Sequence, residues 1–177
     1  MWRRTITFLL SLLSMVMAEA TNHYFKHLGV SDGLSQVCIP SIYQDELGAV
    51  WLGTTEGLNR YNGKDVKVFQ PSESNHGLTN NEINELCGDK NGRMYIRSGN
   101  DLIKLDIYTE QFTCLRQKGV YGLFCKKDTL WVSCADGIYY YTGQGTELTF
   151  FARVQKGFVG RALYVCLLYT SPSPRDV

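Results

Sequence analysis

Three kinds of side chain in this 177-residue sequence could do chemistry: the carboxylates Asp45, Glu56, Asp89 and Asp136, the imidazoles His23, His27 and His76, and six cysteines. General acid–base work needs groups placed at one point of the fold, with environments that set them apart. Asp45 and Asp89 do not meet that condition. Each opens the same Asp-x-x-Gly step, closed by Gly48 and Gly92, and a third stretch keeps the surrounding pattern without the aspartate. That recurrence reads as turn capping, in which a carboxylate accepts turn amides and a glycine takes a positive φ. Glu56 or Asp136 alone identifies no acid–base pair. The histidines are too dispersed for a metal site and are expected to be solvated or to help cap turns. Cys38, Cys87, Cys114, Cys125, Cys134 and Cys166 are irregularly spaced and form no Cys-x-x-Cys, so neither a zinc nor a dithiol redox motif is present. Most are expected to act as small buried apolar residues, with one bridge left open and its connectivity unreadable. No cofactor is expected. A formal net charge of +1 and the lack of any basic block give nucleic acid and anionic membranes no electrostatic purchase.

The elements that would hold these residues repeat. "GLSQVCIPSIYQDELGAVWLGTTEGLNRY", from Gly33, lies over "GLTNNEINELCGDKNGRMYIRSGNDLIKL", from Gly77, without a gap at an offset of 44 residues. Asp45 falls with Asp89, Gly48 with Gly92, Trp51 with Tyr95, Thr54 with Ser98, Leu58 with Leu102 and Tyr61 with Leu105. A third copy, "LFCKKDTLWVSCADGIYYY", sets Trp131 under Trp51 and Tyr95, and Gly137 and Tyr141 under Gly57 and Tyr61. Each copy reads as short strands rich in β-branched and aromatic residues between turn formers, which disfavours a helical solenoid of similar period. In the first copy the Thr54-Thr55-Glu56-Gly57 step turns the chain, and Asn62-Gly63 predicts a type I′ hairpin turn.

Four short antiparallel strands recurring every 36 to 44 residues are the mark of β-propeller blades. The fold class is all-β, with about three four-stranded antiparallel blades of an incomplete propeller. Blade 1 is placed at 37–75, blade 2 at 76–117, blade 3 at 118–155 and the start of a further blade at 156–165, after a lead-in segment at 21–36. Trp51, Tyr95 and Trp131 share one repeat position, so packing between neighbouring blades is expected of them rather than stacking on sugar. In the run Tyr139-Tyr140-Tyr141, strand alternation turns the middle ring to the opposite side. Tyr140 is therefore the aromatic named as a ligand-binding candidate.

"SIYQDELGAVWLGTTEGLNRYNG", preceded by "DGLSQ" and followed by "HGLTNNEI", resembles the two-component regulator propeller repeat, and the resemblance covers residues 24 to 152. Blade 2 departs from it, with Tyr95, Arg97 and Asp101 where the repeat has Trp, Gly and Gly. The Ser-x-Asp-x-Gly-x-x-Trp arrangement of sialidase Asp boxes does not fit "YQDELGAVW". The resemblance implies the opening of the periplasmic sensor part of a Bacteroidetes-type hybrid two-component system histidine kinase. Its partners would be the remaining blades and kinase domains of the parent chain, and an oligosaccharide reaching the full-length sensor. No phosphoacceptor is assignable here, so the stretch itself is not expected to be an enzyme. Specificity is expected in loops that differ between blades or in domains further on. The alternative is a secreted propeller that binds or scaffolds without a kinase.

The two ends read differently. Residues 1–20 combine Trp2-Arg3-Arg4, an apolar run from Ile6 to Met17 and Ala18-Glu19-Ala20, the pattern of a secretory signal peptide with cleavage between Ala20 and Thr21. The apolar run is shorter than a membrane-spanning helix needs. Export, to a periplasmic part of an inner-membrane protein, is the expected localisation. Residues 166–177 contain "CLLYTSPSPRD", which breaks the repeat and resembles the conceptual translation of a sequencing-library adapter, the alternative being a disordered Ser/Pro tail. On that reading the native sequence ends near Val165, and residues 21–165 alone are not expected to close into a stable domain.

Overall fold

A computed structural model describes residues 25–71, 77–145 and 147–153. The signal-peptide segment with Ala20 and Thr21, His23, His76 and the stretches 156–165 and 166–177 lie outside the described residues. Among the described residues, apart from one 3-10 turn at Val30–Asp32, the regular structure is strand. Twelve strands of this part form three four-stranded sheets, each paired in chain order and antiparallel. The first contains β1 (Ser41–Gln44), β2 (Val50–Thr54), β3 (Gly57–Tyr61) and β4 (Val66–Phe69). The second contains β5 (Ile83–Gly88), β6 (Arg93–Ser98), β7 (Asp101–Asp106) and β8 (Gln111–Arg116). The third contains β9 (Val120–Lys126), β10 (Thr129–Cys134), β11 (Gly137–Tyr141) and β12 (Thr149–Ala152).

The sheets stack face on face, and alternation along each strand decides which side chains meet. From the first sheet, Trp51, Leu58 and Phe69 enter one apolar cluster with Ile83, Leu86, Met94, Ile96, Ile103 and Leu105 of the second. The opposite face of the second sheet gives Tyr95 and Leu102 to a separate cluster with Val120, Leu130, Val132, Cys134 and Tyr141 of the third. Neither sheet could bury its apolar face alone, so each interface supplies the core for two neighbours. The outermost faces show the converse. Ile42 is 63% exposed, whereas Leu86, one repeat later, is 8% exposed because another sheet covers it.

The turns carry the repeat's polar residues. Asp45 is buried, and its Oδ1 accepts from the amides of Leu47 at 3.0 Å and Ala49 at 2.8 Å. Its Oδ2 accepts from Trp51 Nε1 at 2.7 Å, so one carboxylate ties the turn to the interface tryptophan. Tyr95 has no ring N–H at the matching place. Asp89 instead caps Asn91 N at 2.9 Å and forms an ion pair with Arg93 Nε at 2.5 Å. Thr54 Oγ1 accepts from Glu56 N at 3.1 Å and donates to the Gly57 carbonyl at 2.8 Å. Gly57 takes φ 120°, and a Cβ there would come within 2.6 Å of the Phe69 carbonyl oxygen, so the next strand leaves no room for a side chain. Tyr61 and Tyr141 donate to the turns that follow them, at Gly63 O (2.6 Å) and Gly145 O (2.7 Å).

The turn expected at Asn62-Gly63 takes another form. Type I′ needs positive φ at both central residues, but of the two only Gly63 has it, and the register pairs Tyr61 with Val66. Four residues therefore turn the chain. Asn62 Oδ1 holds them by accepting from Lys64 N at 2.9 Å and Asp65 N at 2.8 Å, an arrangement a two-residue hairpin cannot supply.

Candidate functional site

Between the second and third sheets the apolar packing gives way to polar side chains. Repeat register places Arg97 where the first sheet has Gly53 and the third has Ser133. At Gly53 the next sheet comes so close that an added Cβ would lie 2.8 Å from Ile83 Cγ2 and 3.0 Å from the Ile83 carbonyl oxygen. A long side chain at this position forces the neighbouring sheet to leave space, and Arg97 occupies part of it. Its Nε donates to Glu85 Oε2 at 3.2 Å and its Nη1 to the Gly99 carbonyl at 3.1 Å. The same Glu85 oxygen accepts from Leu123 N on β9 at 2.9 Å, so the ion pair bridges the two sheets. Burial pushes the Glu85 carboxyl above its ordinary value, against the opposing pull of the Arg97 guanidinium and the Leu123 amide.

Beside this pair lies a cavity of about 490 Å³ lined by Asn80, Glu82, Asn84, Arg97, Gly99, Asn100 and Tyr121. The wall is set by short-range bonds. Asn80 N donates to Ser98 Oγ at 3.0 Å, Ser98 Oγ donates back to the Asn80 carbonyl at 2.7 Å, and Asn80 Oδ1 accepts from Glu82 N at 2.9 Å. Gly99 N donates to the Glu82 carbonyl at 2.7 Å, and Val120 N donates to the Asn100 carbonyl at 3.0 Å, which fixes the β6–β7 turn against β9. Carboxamides, a carboxylate, a guanidinium and one phenol ring in a cavity of this size can satisfy a neutral polyhydroxylated molecule from several directions. Among the described residues no three His, Cys, Asp or Glu side chains come together as metal ligands.

The residues named from sequence stand elsewhere. Asp45, Gly48, Trp51, Thr54 and Gly57 build the turns and inward face of the first sheet, and Asp89, Gly92 and Tyr95 the corresponding parts of the second. Tyr141 meets Tyr95 edge to face at 6.0 Å. Tyr140 pairs with Trp131 in register, as Arg60 pairs with Trp51 and Lys104 with Tyr95. Its ring tilts over Trp131 at 5.8 Å, and Phe151 meets Trp131 edge-on at 5.0 Å. Tyr140 is thus half-buried, on the face that buries Trp51 and Tyr95 in the other two sheets. The cavity-lining residues were missed by sequence reasoning. The departure of Arg97 from the repeat's glycine is the signal that could have found them.

This architecture defines a run of β-propeller blades with one polar inset. Residues 33–56 match the family model described as two component regulator propeller. Histidine kinase P4 of Formosa agariphila is 40% identical over 53 residues, which make up 30% of this chain and 4% of that protein. The extracellular domain of the hybrid two component system BT3049 from B. thetaiotaomicron is similar in structure, with a TM-score of 0.62 and 26% identity over 71% of this chain and 20% of that one. The extracellular domain of BT4673 from the same organism gives 0.51 and 23% over 71% and 16%, a likeness of fold. The chain thus spans a small part of each relative. Residues 33–56 are a two component regulator propeller repeat, in a chain that resembles the extracellular domains of hybrid two-component systems. Among the described residues no helix is long and apolar enough to cross a membrane.

Proposed function

We propose that this chain contributes blades to the periplasmic sensing propeller of a hybrid two-component histidine kinase anchored in the inner membrane, and that the sensed ligand is an oligosaccharide. The repeat match and the likeness to extracellular domains of such systems support the sensor role. The polar cavity at Arg97 is the observation that carries the ligand class. Its lining offers donors and acceptors in alternation with one ring, Tyr121, against which a pyranose face can pack. The residues shared between blades cap turns and fill interfaces, so recognition falls to those that differ, and Arg97 is the clearest difference.

Calorimetry of the parent's complete extracytoplasmic region against a panel of plant and algal oligosaccharides tests this. One glycan is expected to bind at micromolar Kd, and Asn84→Ala with Asn100→Ala to weaken it at least tenfold. Binding unaffected by the double variant would remove the cavity from the reading. A downstream reading frame without a membrane span or kinase would replace the sensor by a secreted scaffold.

A further inference from the structure

The two interfaces bring the same pair of repeat positions together. Across the first, Tyr43 of β1 reaches Gly88 of β5, where a Cβ would overlap the phenol ring. Across the second, the residue in the Tyr43 position is Cys87, opposite Tyr95, and the residue in the Gly88 position is Cys125, opposite Leu130. A large residue packed on glycine has been replaced by two thiols. Their sulfurs stand 2.6 Å apart, about 0.6 Å beyond a covalent S–S bond of about 2.0 Å. Both side chains are half-buried against the apolar cluster that joins the second and third sheets. The other described cysteines have no such partner position: Cys38 and Cys114 are exposed and Cys134 is buried in the same cluster.

We propose that Cys87 and Cys125 form a disulfide that staples the second blade to the third once the chain meets an oxidising compartment. The oxidant is a small-molecule or protein disulfide. The thiolate of one cysteine attacks it, forms a mixed disulfide and releases one thiol. The second cysteine then attacks the protein sulfur of that mixed disulfide and releases the other thiol. Two protein thiols are oxidised by two electrons, one external disulfide is reduced to two thiols, and the two protons leave on them. The link ties residues 38 positions apart and joins two sheets that otherwise share only side-chain packing and a few polar bonds.

Trypsin separates the cysteines cleanly, with Cys87 in peptide 68–90, Cys125 in 119–126 and Cys114 in 105–116. The whole chain, exported to an oxidising periplasm, is denatured with N-ethylmaleimide and digested without reductant. Peptides 68–90 and 119–126 are expected as one linked species, two hydrogens lighter than their sum, that separates on reduction. Cys134→Ser should leave this species in place, and Cys125→Ser should abolish it without creating a new pair at Cys87. Recovery of Cys87 and Cys125 as maleimide adducts, or a scrambled mixture of pairings, overturns the proposal. The result does not depend on the ligand.

Discussion

The two blade interfaces solve one packing problem with different chemistry. Between the first and second blades, Trp51, Leu58 and Phe69 meet Ile83, Met94 and Ile96, and Gly53 lets the neighbouring strand approach until nothing larger would fit. Charged residues here stay at the margin, as in the pair of Arg60 with Glu110 at 3.0 Å. Between the second and third blades the indole becomes the Tyr95 phenol, the glycine becomes Arg97, and the tyrosine-on-glycine contact becomes Cys87 on Cys125. These three substitutions exchange dispersion for polar groups and thiols, and a cavity of about 490 Å³ opens beside them. A repeat protein can therefore hold its architecture on one interface and use the next for recognition, because each interface is a nearest-neighbour contact.

The comparison can be broken most forcefully at Trp51. It is fully buried and bonded to Asp45, so Trp51→Ala should cost about 3–5 kcal/mol in denaturant unfolding, from lost contacts and an unpaired carboxylate. Trp131→Ala, on the outward face of the third sheet, should cost less than half as much in this chain; equal costs would mean that another element covers that face. Next comes Gly53→Arg, which imports the second interface's residue into the first. The approach of Ile83 leaves no space for it, and a loss of about 3 kcal/mol is expected, read as a fall in the denaturation midpoint. A neutral outcome would show that either interface tolerates either chemistry.

Arg97→Ala tests the polar interface from the other side. It leaves Glu85, which is 30% exposed, with only the Leu123 amide, at a cost of about 1–3 kcal/mol near neutral pH that Glu85→Gln in the same background should largely recover. The smallest effect is a pH dependence. Because burial raises the folded-state value of Glu85, the native chain holds more protons than the unfolded one in the window above 4.5, the usual Glu value. Its contribution to stability therefore declines as pH rises through that window and levels off above the folded value. Urea midpoints measured across the window should show Glu85→Gln flattening the slope. An unaltered slope in the Glu85 variant would mean that the Arg97 guanidinium and the Leu123 amide cancel the effect of burial.

Much of the fold could be read from spacing, because a strand–turn–strand unit repeated at fixed register exposes its turn formers and apolar positions directly. The sheets pair in chain order, and Trp51 and Tyr95 fall on interfaces, whereas Trp131, at the same repeat position, lies on the outward face of the third sheet. The four-residue turn after Tyr61 was less legible, since Asn-Gly favours a tight hairpin and the strand register overrode it. The side assigned to Tyr140 followed from alternation, but whether that side faces solvent or a neighbour is a property of the stack.

The sequence by itself therefore determined the all-β class, the period and the residues that cap each turn, because those depend on contacts within about twenty positions. Only the tertiary structure decided which repeat positions meet across blades. Tyr43 with Gly88, Cys87 with Cys125, and Glu85 and Arg97 beside Tyr121 come together through the stacking of sheets from separate repeats. A one-dimensional period records that two positions are equivalent; the twist and spacing of neighbouring sheets determine which of them touch.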